Sequence, residues 1–572
     1  MRMRLRRAAV TVLPAIFLAL CVPAPLCAAA PVDFRTVGTP EKQADALLAL
    51  MSDEDILAQT FMLGWVGADP SPLVLDWISE RHIGGVKIFG WNTEDTQRLA
   101  AAVGSLQKAA IAAPLKIPLF VATDQEGGWI RHVKGATSET PGNMAIGASG
   151  FPKDALSAGY YIGREIAALG INMNFAPSVD LYTNRDSVLI GPRAFGDDPV
   201  KVAILGAAFA KGLEKAGVIP TAKHFPGHGD TELDSHGVLP KIWIDQKTMW
   251  ERELIPYRLL AKERIPAIMS GHLAFPRTPG GEEPASLSKW FLTDLLRGKI
   301  GFTGLIITDD LLMNGAAMSA GSLSRAAKSA LEAGNDVLMF SKTPSLNDPV
   351  WSNLLWAYRN EKAFRARVRD AARRSLVLKL DRLRRSETPT FFPDPKDVVK
   401  RVPDAEGRAF FLELASRSVT LIGGKALPLR AATGEKILIA GQFEDFLKIG
   451  KKAYPEAKSY RFSYTPFDHP VWAEKEELLR LARDADQIVI CVSNPASLEM
   501  LQALKDLGKK VYVISALTPV YLDRAPWVDA ALAVYSYAPE SFTAGFSALS
   551  GRIPAEGVLP FPLRTPRSGR QP

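Results

Sequence analysis

The chain has 572 residues, 47% of them hydrophobic, with three cysteines and a formal net charge of +8. That length exceeds what one hydrophobic core supports, so two domains are expected. The positive charge is mild and no Lys/Arg run interleaved with aromatics follows the first thirty residues, so nucleic acid is not indicated.

At the start of the chain, Arg2, Arg4, Arg6 and Arg7 precede an apolar run from Ala8 to about Pro25, followed by Ala28, Ala29 and Ala30. This layout predicts an export signal over 1–30 and a mature chain that is periplasmic or secreted. A membrane anchor is the competing reading, but Pro14 and Pro23 interrupt a short run, so no stable membrane insertion is expected. Removing the segment takes the net charge to about +4 and leaves Cys491 alone, which excludes an internal disulfide.

Short apolar runs then alternate with amphipathic stretches. Strands are predicted over Thr60–Trp65, Gly85–Phe89, Pro118–Thr123, Ile171–Ala176, Pro220–His224, Pro266–Gly271, Gly304–Asp309 and Asp336–Phe340. Helical patterns fill several gaps, such as Asp154–Leu169, Val200–Ala216 and Ser324–Ala333. Eight βα units predict an α/β chain whose N-terminal domain, 31–385, is a (β/α)8 barrel, with an open doubly wound sheet as the competing arrangement. Polar residues sit where the strands end: Asp124, Asn172, Asn174, Lys223, His224, His272 and Asp309. A barrel would bring these carboxyl-end residues to one face.

After the helical pattern Trp351–Arg385, four prolines within Ser386–Pro403 mark a linker, taken as 386–407. The second domain, 408–566, reads as α/β, with strands over Ser418–Ile422, Lys436–Ala440, Gln487–Val492, Lys510–Ser515 and Ala530–Tyr535.

The densest chemistry lies in Lys223–His236, which holds three of the seven histidines in a Gly- and Pro-rich segment suited to a constrained loop. In Asp234-Ser235-His236 the aspartate can fix the imidazole tautomer and raise its pKa, making His236 a proton donor and acceptor. Paired with a carboxylate nucleophile, for which Asp309 is chosen over Asp310, this describes a retaining glycoside hydrolase with a histidine acid/base. A metal site built from His224, His228, Asp230, Asp234 and His236 is the other reading, although the spacing matches no helical or knuckle pattern and Lys223 adds a cation.

Five segments carry a resemblance: ATDQEGG at 122–128, NMNFAPSVD at 172–180, GPRAFGDDP at 191–199, KHFPGHGDTELDSHGVLP at 223–240 and GLIITDDLLMNGA at 304–316. Together they resemble glycoside hydrolase family 3, and within it the bacterial β-N-acetylglucosaminidase branch. The resemblance implies a two-domain retaining exo-β-N-acetylglucosaminidase that needs no cofactor or metal. Its carbohydrate substrate would be a muropeptide or chitin-type oligosaccharide carrying N-acetylglucosamine. Asp309 would be the nucleophile and His236, assisted by Asp234, the acid/base. Asp124, Arg193, Lys223 and His224 would hold the sugar hydroxyls, and His228 and Asp230 would shape the loop. A β-glucosidase or xylosidase of the same family, a phosphorylase, and a non-catalytic cell-wall-binding protein are the alternatives. The sequence departs from the family pattern after Gly128, where Trp129 replaces an arginine and either Arg131 or His132 follows in place of a second one. The second domain would supply no catalytic residue.

Overall fold

The computed structural model describes residues 32–233, 237–424, 426–464 and 472–563. The expected export signal therefore lies outside the described residues. So do Asp234 and His236.

Eight parallel strands form one sheet: β1 Phe61–Gly64, β2 Gly85–Lys87, β3 Phe120–Thr123, β4 Met173–Asn174, β5 Ile219–Phe225, β6 Ala267–Ser270, β7 Leu305–Thr308 and β8 Leu338–Phe340. Each pairs with its neighbour in chain order, and β8 returns to pair with β1. A bridge between Ile307 and Val337 joins β7 to β8, so the sheet closes into the expected barrel. The strands are buried throughout, which is why they read as continuous apolar runs.

The helices around the barrel start at readable signals. Asp95 caps Thr96–Ala112 by accepting from the Gln97 and Arg98 amides, and Asp198 with Pro199 opens Pro199–Lys215 in the same way. Helix Pro152–Ala168 lies tightly against Pro199–Lys215 because Gly212 has no Cβ, and one there would meet the Leu156 carbonyl at 2.1 Å.

Residues 386–407 are not a bare linker. Asp394 and Pro395 start a helix, Pro395–Arg401, whose Val398 and Val402 join the barrel's apolar cluster. A second helix, Ala405–Ser418, leads into the next sheet.

That sheet has six strands: β9 Thr420–Gly424, β10 Ile437–Gly441, β11 Lys458–Arg461, β12 Gln487–Val492, β13 Lys510–Ser515 and β14 Ala530–Ala533. Their order is β9-β14-β13-β12-β10-β11, all parallel except β9. Side chains alternate between two apolar layers, Ile437 and Ile439 facing one and Leu438 and Ala440 the other. Cys491 is buried in β12 without a disulfide.

The domains meet on a separate apolar cluster of Met144, Tyr182 and Ile190 from the barrel with Tyr535 and Phe561 from the second domain. The segment after the last helix runs back over the barrel, where the Val558 amide donates to the Ala148 carbonyl at 2.9 Å.

Candidate active site

The carboxyl ends of the barrel strands surround a cavity of about 170 Å³ lined by Asp124, Glu126, His132, Arg193, Lys223, His224, His228 and Asp309. Five expected site residues, Asp124, Arg193, Lys223, His224 and Asp309, are thus brought together from four separate parts of the chain.

Asp124 follows β3 directly. Its carboxylate accepts from Lys223 and, at 2.8 Å, from the fully buried Lys87 at the end of β2. Burial alone would raise this carboxyl, but the two lysines outweigh it and hold it well below the ordinary range. Asn174, at the end of β4, pins the next residue by exchanging two 2.9 Å hydrogen bonds with the Gln125 backbone.

Glu126 is buried and accepts from Arg193 through two bonds of 2.9 and 2.7 Å and from Lys223 at 2.6 Å. Burial raises its carboxyl, and Arg193 and Lys223 more than offset that. Such a planar pairing fixes the guanidinium plane as well as its charge.

Strand alternation would send Lys223 and His224 to opposite faces. The ladder between β5 and β6 slips between Ala222 and Phe225, and both side chains reach the cavity. His224 Nδ1 lies 2.7 Å from Asp180, and its Nε2 lies 3.3 Å from Arg193. Asp180 also accepts from the His228 amide at 2.7 Å, tying the start of the loop to the segment after β4. His228 itself is buried, and burial followed by the neighbouring His224 lowers it to about 4. Asp230 is held by Arg252 at 2.5 Å. Gly229 is required here, since a Cβ would strike the Leu181 carbonyl at 1.5 Å.

Asp309 follows β7. Its amide donates to Ser270 at 3.0 Å, and its carboxylate accepts from the Asp310 amide at 2.8 Å. Burial would raise it, but His224, His272, the Asp310 amide and Lys223 keep it below the ordinary value, which favours an ionised carboxylate. Asp310 differs: its carboxylate accepts from the Leu312 and Ser341 amides at 3.0 Å each, and burial raises it. The two neighbours therefore have separate jobs, one facing the cavity's cations and one tying β7 to the segment after β8.

Past Gly128, His132 rather than Arg131 enters the cavity. His132 Nδ1 lies 3.3 Å from Lys87 and 3.5 Å from Asp124, and burial together with the Lys87 charge lowers its pKa to about 4. Arg131 turns away to Glu139, at 2.9 Å, and to Thr137.

Lys87, Glu126 and Asp180 were not expected in the site. Each carried a signal: a lysine inside the apolar run Gly85–Phe89, and carboxylates within two of the quoted motifs.

A closed barrel with an ionised carboxylate after β7, facing a lattice of paired Asp, Glu, Lys and Arg side chains, defines an enzyme that grips a many-hydroxyl substrate. Residues 58–378 match the model of the glycosyl hydrolase family 3 N-terminal domain. The chain belongs to glycosyl hydrolase family 3 and is a glycoside hydrolase. A β-hexosaminidase of Tolumonas auensis is 38% identical over 264 residues, covering 45% of this chain and 76% of that protein. β-Hexosaminidase A of Pseudoalteromonas piscicida is 38% identical over 261 residues, covering 43% of each, so the chain spans less than half of that relative's length. Among solved structures, a family 3 β-N-acetylglucosaminidase from Paenibacillus matches 90% of this chain and 99% of its own, with a TM-score of 0.80 and 28% identity.

Proposed function

We propose that the protein is a retaining exo-β-N-acetylglucosaminidase that removes terminal N-acetylglucosamine from muropeptide or chitin-type oligosaccharides. The relatives named β-hexosaminidase and the Paenibacillus structure support the sugar. The observation that carries the chemistry is Asp309: a half-buried carboxylate, held below its ordinary pKa, in one cavity with Asp124, Lys223, Arg193 and His224.

In this reading the Asp309 carboxylate attacks the anomeric carbon while His236, protonated and oriented by Asp234, gives its proton to the leaving oxygen. The C–O bond to the aglycone breaks and a covalent glycosyl-enzyme forms. His236 then takes a proton from water, which attacks the same carbon and frees Asp309. The Asp124 carboxylate accepts from sugar hydroxyls, and Lys223 and Arg193 donate to them. With His236 as acid/base, the second domain supplies no catalytic group. The export signal read from the sequence over 1–30 supports an enzyme that acts in the periplasm or outside the cell.

The test compares 4-nitrophenyl N-acetyl-β-glucosaminide with the matching glucoside, with and without phosphate. Turnover confined to the first substrate, unaffected by phosphate and abolished by Asp309→Ala, is expected. Preference for the glucoside, or a sugar 1-phosphate product, would replace this reading with a family 3 glucosidase or phosphorylase.

A further inference from the structure

We propose that a second saccharide-binding site lies between the barrel and the second domain, separate from the pocket that holds Asp309. The cavity there is about 310 Å³, in the range of small-molecule sites. On the barrel side it is lined by Trp129, Tyr182 and residues 185–188. On the other side it is lined by the segments following β11, β12 and β13, including Tyr464, Asn494, Leu517, Tyr521 and Asp523. Consecutive residues divide between the two cavities: Trp129, Val188 and Pro192 line this one, while Ile130, Leu189 and Arg193 line the other. They share a wall one residue thick.

Three observations point to a ligand. The first is position. The strand order β9-β14-β13-β12-β10-β11 reverses direction between β10 and β12, and open parallel sheets bind ligands outside their carboxyl ends at such a point. Gln442, just after β10, donates to Ser493, just after β12, at 3.2 Å, so the cavity's wall begins at that crevice.

The second is unmet hydrogen bonding. Trp129 Nε1, Ser187 Oγ and Asp523 Oδ1 are buried without a partner, and all three residues line the cavity. Buried polar atoms are rarely left so. One is a pure donor, one a pure acceptor and one a hydroxyl; all three lie just under the cavity's surface, so a ligand rich in hydroxyls, each able to donate and accept, meets them once the side chains turn toward it.

The third is the character of the walls. Tyr464 and Tyr521 offer aromatic surface with polar tips, which suits a pyranose ring that is apolar on its faces and polar at its rim. Two arginines, 185 and 524, are matched by two aspartates, 186 and 523, and Arg185 is already engaged by Asp197 at 2.6 Å. With Asp197 counted, the acids exceed the bases by one, which disfavours a phosphate. Leu517 lines the cavity with φ +60, a conformation leucine seldom adopts and one found where ligand sites hold backbone strain.

The sugar class follows from the cavity itself; only the choice of chitobiose as a probe rests on the proposed activity. The full chain carrying Asp309→Asn is titrated calorimetrically with chitobiose and, separately, with cellobiose. Two classes of chitobiose site are expected. Adding Asp523→Ala and Tyr521→Ala should weaken one class at least roughly tenfold, as loss of a charged acceptor and a stacking ring implies. Trp129→Phe, which removes the N–H together with the five-membered ring of the indole, should weaken the same class by about threefold to tenfold. With Asp309 intact, these variants should hydrolyse the aryl N-acetylglucosaminide within about twofold of the parent. A single class of site that ignores all three substitutions overturns the proposal. If the parent fails to hydrolyse the aryl N-acetylglucosaminide but chitobiose or cellobiose still binds in a way that Asp523→Ala and Trp129→Phe weaken, the activity reading fails and the second site stands.

Discussion

The barrel mouth and the inter-domain cavity both lie at the carboxyl ends of parallel strands, yet they handle buried polarity in opposite ways. In the mouth nearly every ion has a counter-ion: Asp124 sits between Lys87 and Lys223, Glu126 between Lys223 and Arg193, and Asp180 against His224. In the cavity an indole N–H, a hydroxyl and a carboxylate oxygen are left without partners. Paired ions are costly to separate, so the mouth is a rigid lattice that fixes each protonation state before substrate arrives. Unpaired neutral and half-paired groups leave hydrogen-bonding capacity for a ligand instead.

The largest effect expected in the mouth is on turnover. Asp309→Asn keeps the shape and the Asp310 contact but removes the nucleophile, and kcat on the aryl N-acetylglucosaminide should fall on the order of 10³-fold or more. Chitobiose binding should survive, which stopped-flow and titration measurements separate from loss of turnover. Asp124→Ala attacks the lattice itself. It strands Lys87 as a buried cation and leaves Lys223 with Glu126 alone, at a cost of about 3–5 kcal/mol in thermal or urea unfolding. An Asp523→Ala change, on the paired-versus-unpaired contrast, should cost far less stability. Equal losses at the two positions would erase the contrast.

How far all this could be read from residues alone differs between the same two regions. The eight barrel strands were legible because parallel strands buried on both faces read as apolar runs: seven predicted segments contain their strand whole, and the fifth lies inside its strand. In the second domain β11 was not, since Lys458, Ser459 and Arg461 are exposed on an edge and give no apolar signal. The prolines around Pro395–Arg401 mask its helical pattern, although Asp394 and Pro395 form a normal helix start. In the site, Asp124 and Asp309 stood out at strand ends. Lys87 did not, because a lysine inside an apolar strand makes sense only once its partner, thirty-seven residues on, is seen beside it. The inter-domain cavity was not legible at all: it joins Trp129 to Asp523 across a domain boundary that no local pattern spans.

A smaller effect is expected at Arg193. Arg193→Lys keeps the charge but loses the two-pronged contact to Glu126, and a loss of about 1.5–3 kcal/mol in chemical denaturation should result. The same change should raise KM more than it lowers kcat, as expected for a group that holds the substrate before and during reaction.

The last effect, spread over several pH units, tests Glu253, a carboxylate near the mouth that is only half paired. Glu253 accepts from Arg252 at 2.6 Å through one oxygen, while its other oxygen is buried without a partner behind Gly227, and burial pushes its pKa up to about 7. A carboxyl raised from about 4.5 to about 7 on folding holds more protons folded than unfolded in that window. Its contribution to stability is therefore greatest at acid pH and is lost as pH rises from about 4.5 to about 7, by at most roughly 1.4 kcal/mol per pH unit. His132 and His228, both lowered to about 4, act with the opposite sign, because the unfolded chain binds their protons first as pH falls below about 6.5. Subtracting the urea-unfolding stability of the parent from that of Glu253→Gln at pH 5, 6, 7 and 8 cancels the histidines. The difference should climb with pH up to about 7 and then level off. A flat difference would mean that Glu253 is ionised at its ordinary value and that Arg252 pairs it as fully as the lysines pair Asp124.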